Sequence, residues 1–385
     1  MSKKIKVTIL HNIMAPYKFP LFKFLSKQKK IDLNVLFLSE SAINRYWKYK
    51  GRKLGFKYKV LPKIALNFVG KDFLTYLINY TFPFEFFRNK FDVLIVHGWL
   101  DFAPQIGFLL CKLTGRKYIV WSESSPNEKS WRRTITLPMV KTIVRGANAC
   151  IAIGTQSKKY FEILGVPPKK IFIAYYTMDL KHFLTKSRLT QEKKLDYMLE
   201  LGIPKGKIIL YVGQFIERKG INYLLSAFKL VQKKYPKTSL LLVGYGPQKN
   251  FLMSRVNKEK INNVFFHGHV DVNEMPRMYG MADIFVLPSY EEAWGLVINE
   301  AMAAGLPIVT TDKVGAAADL VFNGLNGYVV PAKNSKAIAT ALKKILSSPA
   351  LLNRMSKESK KIIRNFSPEN TGKGFLKAID YSLKN

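Results

Sequence analysis

Acidic residues are scarce in this chain: 26 Asp and Glu stand against 62 Lys and Arg over 385 residues, a formal net charge of +36. Cysteine is scarcer still. Cys111 and Cys150 lie in apolar contexts without ligand-like spacing, which reads as two buried thiols rather than a disulfide or a metal site. Long apolar runs are missing too, since the longest uncharged apolar stretch, Phe73 to Phe84, is well short of the ~20 residues a membrane helix needs. The basic start MSKKIKVTILHN has no secretory-length apolar core and no small-residue cleavage pattern, so it reads as an opening strand. The expected location is the cytoplasm, at most peripheral on the inner face of the cell membrane. There is no solenoid period, no low-complexity tract and no GxxxxGK[ST] phosphate loop. His267 and His269 flank Gly268 with no cysteine or further histidine near, so no metal is expected there.

What is present is a folded globular composition, 48% hydrophobic and 23% charged. The length predicts two domains of similar size. In the first half the runs KVTIL, LNVLFL, DVLIV, KYIVW, ACIAI and KIFIA alternate with helical patterns, and in the second KIILYV, SLLLV, NVFF, DIFVL and PIVTT do the same. Runs apolar on successive residues suit parallel strands buried on both faces, so the fold class is α/β, twice: two Rossmann-like doubly wound domains facing a central cleft. The charged stretch LTKSRLTQEKKLDYMLELGIPKGK reads as a hinge, giving residues 1–190 and 191–385, with the last helix a candidate to return to the first domain. The charge is uneven. Residues 1–190 carry 34 basic and 10 acidic residues, +24, against 28 and 16, +12, for residues 191–385. That asymmetry suits nucleic acid, an anionic membrane or a polyanionic substrate equally well, and a lysine-rich genome supplies part of it with no function.

Three constellations carry chemistry. In EEAWGLVINEAMAAG, Glu292 and Glu300 are eight residues apart, ~12 Å along a continuous helix and a poor fit to a hydrolase pair. A helix starting near Gly295 instead leaves Glu291 and Glu292 in the preceding loop. It aims the free amides of Gly295, Leu296 and Val297 at a phosphate, with the two carboxylates as acceptors for sugar hydroxyls. In YVGQFIERKG, Gly213 permits a tight turn after a strand, and Arg218 and Lys219 sit where two cations suit a diphosphate. In SLLLVGYGP, Gly244 and Gly246 form a Gly-rich turn that lacks the third glycine and downstream acid of a nicotinamide site. The segment around His269 and Val270 suits backbone contacts to a flat base. No Asp-x-Asp pair of the kind that holds a metal on a nucleotide sugar is seen.

In this order the pieces VGQFIERKG, LLVGYGP, HGHV, ADIFVLPSYEEAWGLVINEAMAAGLPIVTT and NGLNGYVVP resemble the family four glycosyltransferases, over most of residues 208–331. The first domain resembles bacterial surface-polysaccharide members less tightly, through APYKFPLF, WSESS, AIGTQSKKYFEILGV and KKIFIAYYTMD. The resemblance implies a GT-B fold and a retaining, metal-independent transfer without cofactor, from a UDP- or GDP-sugar to a glycan or lipid-linked glycan. It places Glu292 beside the donor sugar, Glu300 on the ribose, Lys219 on the diphosphate and Trp294 in the donor pocket. Gln214 stands where the family usually has an arginine, with Arg218 as a substitute. Glu123 stands near where many members have a histidine, with His97 as a second candidate on the acceptor side.

The segment Asn44 to Val60 interleaves aromatics with Lys and Arg, and Lys129 to Thr134 repeats the pattern, so Lys48 to Lys59 with Arg132 and Arg133 could rest on an anionic bilayer. The alternative is a solvated loop or edge strand. No nucleic-acid module is recognisable, so no nucleic acid is expected. The rival functions are a basic nucleic-acid-binding protein, a GT-B scaffold without activity, and a sugar-nucleotide epimerase.

Overall fold

The computed structural model describes residues 4–41, 54–68, 74–128 and 131–385. Asn44 to Lys53, with Lys129 and Ser130, lie outside the described residues. Two compact units divide the chain, Met1–Met178 with Pro368–Asn385, and Asp179–Ser367.

The first unit holds β1 (Ile5–Ile13), β2 (Ile31–Ser39), β3 (Lys57–Val60), β4 (Ile64–Phe68), β5 (Leu74–Ile78), β6 (Val93–His97), β7 (Lys117–Ser122), β8 (Ala149–Ala152) and β9 (Ile171–Ile173). Seven of them form one parallel sheet in the order β3-β2-β1-β6-β7-β8-β9. Val93 to Val96 and Ala149 to Ala152 are buried at every position because helices cover both faces, which is why these strands read as unbroken apolar runs. β1 pairs with β2 on one side and β6 on the other, so the strand order reverses there, and a doubly wound sheet opens its ligand crevice at such a point.

The second unit repeats the plan with β10 (Lys207–Val212), β11 (Thr238–Val243), β12 (Val264–His267), β13 (Ile284–Leu287), β14 (Ile308–Thr311) and β15 (Gly327–Val330), all parallel, ordered β12-β11-β10-β13-β14-β15. Its reversal lies between β10 and β13. The helix Ile221–Gln232 buries Ile221, Leu224, Leu225, Phe228 and Val231, the stripe its spacing predicts.

Three strands escaped the sequence reading: β4 and β5 form an antiparallel ribbon of their own, and the four residues of β15 are too few to show a period. β3, lysine-bearing and exposed along most of its length, is the edge strand held as an alternative for the end of Asn44 to Val60. The boundary differs as well. Residues 179–190 belong to the second unit, because Leu180 and Phe183 are buried there and the Phe183 ring meets Tyr279 at 6.0 Å. The stretch read as a hinge, residues 184–207, takes in the end of the helix Leu180–Lys186, capped by Asp179, and the whole of the helix Gln191–Glu200, capped by Thr190. The last helix, Pro368–Lys384, packs in the first unit, with Phe375 edge-on to Trp121 at 4.9 Å.

Candidate functional site

In the second unit the site grows from loops that leave the sheet at its reversal. β10 ends at Val212, and the chain continues through Gly213 and Gln214 to a single 3-10 turn, Glu217–Lys219. Neighbouring β13 leads into the loop that carries Glu291 and Glu292. The two loops are zipped together: the Tyr290 amide donates to the Arg218 carbonyl at 2.9 Å and the Arg218 guanidinium donates to the Glu291 carbonyl at 3.1 Å. The Lys219 ammonium donates to the Glu292 carboxylate, and both side chains are mostly buried. The Gly315 amide donates to the Glu292 carbonyl at 3.0 Å and the Ala316 amide to the Trp294 carbonyl at 2.9 Å, so the loop after β14 clamps the acidic loop from the other side. Arg218 meets Glu291 and Lys219 meets Glu292, each pair 73 residues apart in the sequence.

Gly295 caps the helix Leu296–Ala304 at φ 93°, a left-handed conformation that a side chain would strain, and an added Cβ would also press on Leu287 and Val314. The amides of Leu296 and Val297 begin that helix at its positive end, while the Ile298 amide turns back to the Gly295 carbonyl at 2.9 Å. Glu300 lies on the second turn, half-buried, where Tyr279 donates to it at 2.6 Å. Burial pushes its carboxyl up to about 7, against the pull of the Tyr279 hydroxyl. The expected permanent carboxylate is thus a group that titrates near neutrality and can donate as well as accept. The Trp294 indole is buried and donates to Asn299 at 2.9 Å, so the side chain braces the loop.

The remaining expected positions line the rim of the same sheet. The Gly213 amide donates to the Val243 carbonyl at 3.0 Å, the Phe215 amide to the Tyr245 carbonyl at 2.7 Å and the Gly244 amide to the His267 carbonyl at 3.0 Å, stitching the loops after β10, β11 and β12 side by side. Gln214 presents its carbonyl to the Tyr211 hydroxyl at 2.9 Å. Gly246 packs tightly on the backbone of Phe215. His269 is exposed and meets the Tyr245 ring edge-on at 5.9 Å, next to half-buried Val270. Tyr279, Tyr211 and Asn299 went unnoticed in the sequence, where nothing marks a buried tyrosine or asparagine as the partner of a loop elsewhere in the chain.

Glu123 stands apart, in the first unit, just past β7 and beside the reversal at β1 and β6. Its carboxylate accepts from Lys18 Nζ at 3.0 Å and from His97 Nε2 at 3.0 Å, with Tyr176 as a third partner. Lys18 is almost fully buried, its ammonium 3.5 Å from the centre of the Tyr176 ring and 4.3 Å from that of Trp121. His11 stacks on His97 at 4.3 Å. Burial would raise Glu123, yet the Lys18 charge and the His97 bond hold it well below the usual carboxylate range. Burial lowers His11 well below the ordinary histidine value and lowers His97 too, so both rings are neutral at pH 7. Lys18, His11 and Tyr176 were missed. The only sign of Lys18 was its place in the loop HNIMAPYKFP.

Residues 196–362 match the family model described as "Glycosyl transferases group 1". Over 153 residues the chain is 32% identical to a glycogen synthase of Mycobacterium tuberculosis, covering 40% of this chain and 37% of that protein. Over 164 residues it is 30% identical to the capsular polysaccharide biosynthesis glycosyltransferase CapM of Staphylococcus aureus, covering 41% of each. The chain thus spans about two fifths of the length of these relatives. Among solved structures, HepE of Anabaena in complex with UDP superposes with a TM-score of 0.78 at 16% identity, over 98% of this chain and all of that one. The fold is therefore GT-B, two Rossmann-like α/β units.

Proposed function

We propose that this chain, a group 1 glycosyl transferase by its residues 196–362, moves a sugar from a nucleotide-sugar donor to a glycan or lipid-linked glycan acceptor in surface polysaccharide synthesis. One observation carries the reading: Arg218 and Lys219, the Glu292 carboxylate and the amide end of the Leu296–Ala304 helix converge where the strand order of the second unit reverses. A nucleoside diphosphate sugar needs that combination, cations and amides for its phosphates and a carboxylate for its hydroxyls. Uridine is the favoured base, supported by the UDP held in HepE, with GDP as the second choice.

In the proposed reaction the bond between the anomeric carbon and the β-phosphate oxygen breaks, and its electron pair stays on the phosphate. Arg218, Lys219 and the helix amides meet the charge that develops there, so no divalent ion is required. The acceptor hydroxyl oxygen bonds to the anomeric carbon on the face the diphosphate leaves, which retains the configuration, and its proton passes to the departing phosphate. Glu292, already paired with Lys219, is suited to gripping the sugar and steadying positive charge at the anomeric carbon. Glu123 is the acceptor-side candidate, its carboxylate kept ionised by Lys18 and His97. The acceptor, when lipid-linked, brings the protein onto the inner face of an anionic membrane.

The test is a thermal-shift titration with UDP, GDP, ADP and dTDP and their sugars, on wild type, Lys219→Ala and Glu292→Gln. A ligand bound only by the folded state at 100 times its Kd stabilises by ~2.7 kcal/mol. One nucleotide family should shift the wild type and fail to shift Lys219→Ala, while Glu292→Gln keeps the shift and loses ~10²–10³-fold in transfer rate. No shift of the wild type by any of them refutes the donor site.

A further inference from the structure

The β4–β5 ribbon plays no part in the sites described. Ile64 stands opposite Ile78 and Leu66 opposite Tyr76, and because side chains alternate across a strand these share one face while Ala65 and Leu77 share the other. Leu77 is buried in the core of the first unit. Ile64 and Leu66 point the opposite way and are exposed. Directly after β5, Tyr80, Phe84 and Phe87 recur at helical spacing along the helix Phe82–Arg88 and its approach, and all three are exposed, Phe84 at 66%. Phe82 and Phe86 hold the opposite stripe of that helix in the core. Five large apolar side chains within 24 residues are thus left in solvent, a local concentration of exposed apolar side chains of the kind that marks an interaction site.

The charges around the patch are of one effective sign. Lys63 adjoins Ile64, Arg88 holds its guanidinium 5.9 Å from the centre of the Phe84 ring, and Lys90 follows. Arg88 and Lys90 also border an open cleft of about 740 Å³ lined further by Lys6, Lys57 and Lys59. The acids nearby are already engaged: Glu85 is buried against Lys59 at 2.7 Å and Arg88 at 3.3 Å, Asp32 takes Lys57 at 3.4 Å, and Asp92 accepts the Lys6 amide at 2.8 Å.

We infer that this face, Ile64 and Leu66 of the ribbon with Tyr80, Phe84 and Phe87, docks the protein on a bilayer of anionic phospholipid, with Arg88 and Lys90 on the lipid phosphates. It rests on the membrane contact proposed above and names the surface that makes it. Aromatic and aliphatic side chains settle at the boundary between headgroups and acyl chains, and each nearby cation adds attraction to an anionic surface. The binding is peripheral, and among the described residues no helix is long and apolar enough to cross a membrane.

The experiment is co-sedimentation of the full chain with vesicles of phosphatidylcholine alone and with 30% phosphatidylglycerol, at physiological salt. The wild type should bind the anionic vesicles, and Phe84→Ser with Phe87→Ser should weaken that binding at least tenfold while keeping the same Tm and the same nucleotide shift. Lys90→Glu, on an exposed position, should weaken it as well, and this variant decides the matter where the phenylalanine variant unfolds. Wild-type binding that neither variant reduces overturns this surface and leaves the membrane reading standing. Failure of the wild type to bind overturns both, without touching the nucleotide result. A dimer in sedimentation velocity that the phenylalanine variant splits, with no lipid bound, assigns the patch to a second copy of the chain and overturns the proposal.

Discussion

Glu300 shows how burial changes what a residue can do. Its folded carboxyl stands at about 7 against an ordinary 4.5, so between those values the folded chain binds a proton that the unfolded chain has released. Stability therefore falls as pH rises from about 4.5 through about 7, and above that range the folded state carries the full cost of a half-buried carboxylate. Glu300→Gln removes this cost and can still accept from Tyr279. The variant should be more stable than wild type at pH 8 by on the order of 1–3 kcal/mol, with the difference vanishing near pH 4.5, as followed by thermal denaturation across pH. That burial was not legible in the sequence, where Glu300 is one acid in an apolar helix. Glu123 was legible as a position and not as a network, because Lys18 lies 105 residues away and His97 26.

At the scale of elements the turns after the strands do the positioning. Gly244 stands at φ 143°, and a Cβ there would lie 1.9 Å from the Gly213 carbonyl oxygen, closer than any two such atoms can come. The loops after β10 and β11 can touch only because that side chain is absent. Gly244→Ala should force them apart and destabilise the protein by ~2–4 kcal/mol in denaturant unfolding, and it should weaken nucleotide binding more than a remote change of equal cost does. A tight turn after that strand was legible from its glycines. The clash partner was not, since Gly213 sits in the loop after another strand.

At the scale of the molecule, the chain leaves the first unit after Met178 and comes back to it at Pro368. The returning helix covers β7, β8 and β9 and plugs Phe375 against Trp121, while the Thr371 hydroxyl donates to the Tyr175 carbonyl at 2.8 Å. Ending the chain at Ser367 should therefore raise hydrogen exchange in β7 to β9 and leave β10 to β15 at wild-type protection. The sequence alone determined the two α/β units, most of their strands, the helix that starts at Gly295 and the charged loops after β10 and β13. Each of these is written in local terms, a period of burial, a glycine where the backbone must turn, a charge beside a strand end. Only the tertiary structure decided the rest: where the units divide, that Lys219 pairs with Glu292, that Trp294 faces inward, that Glu300 titrates near neutrality, and that the ribbon and its aromatic neighbours lie in solvent. Those outcomes depend on which distant segments meet and how much water they exclude, and neither is a property of any stretch of chain by itself.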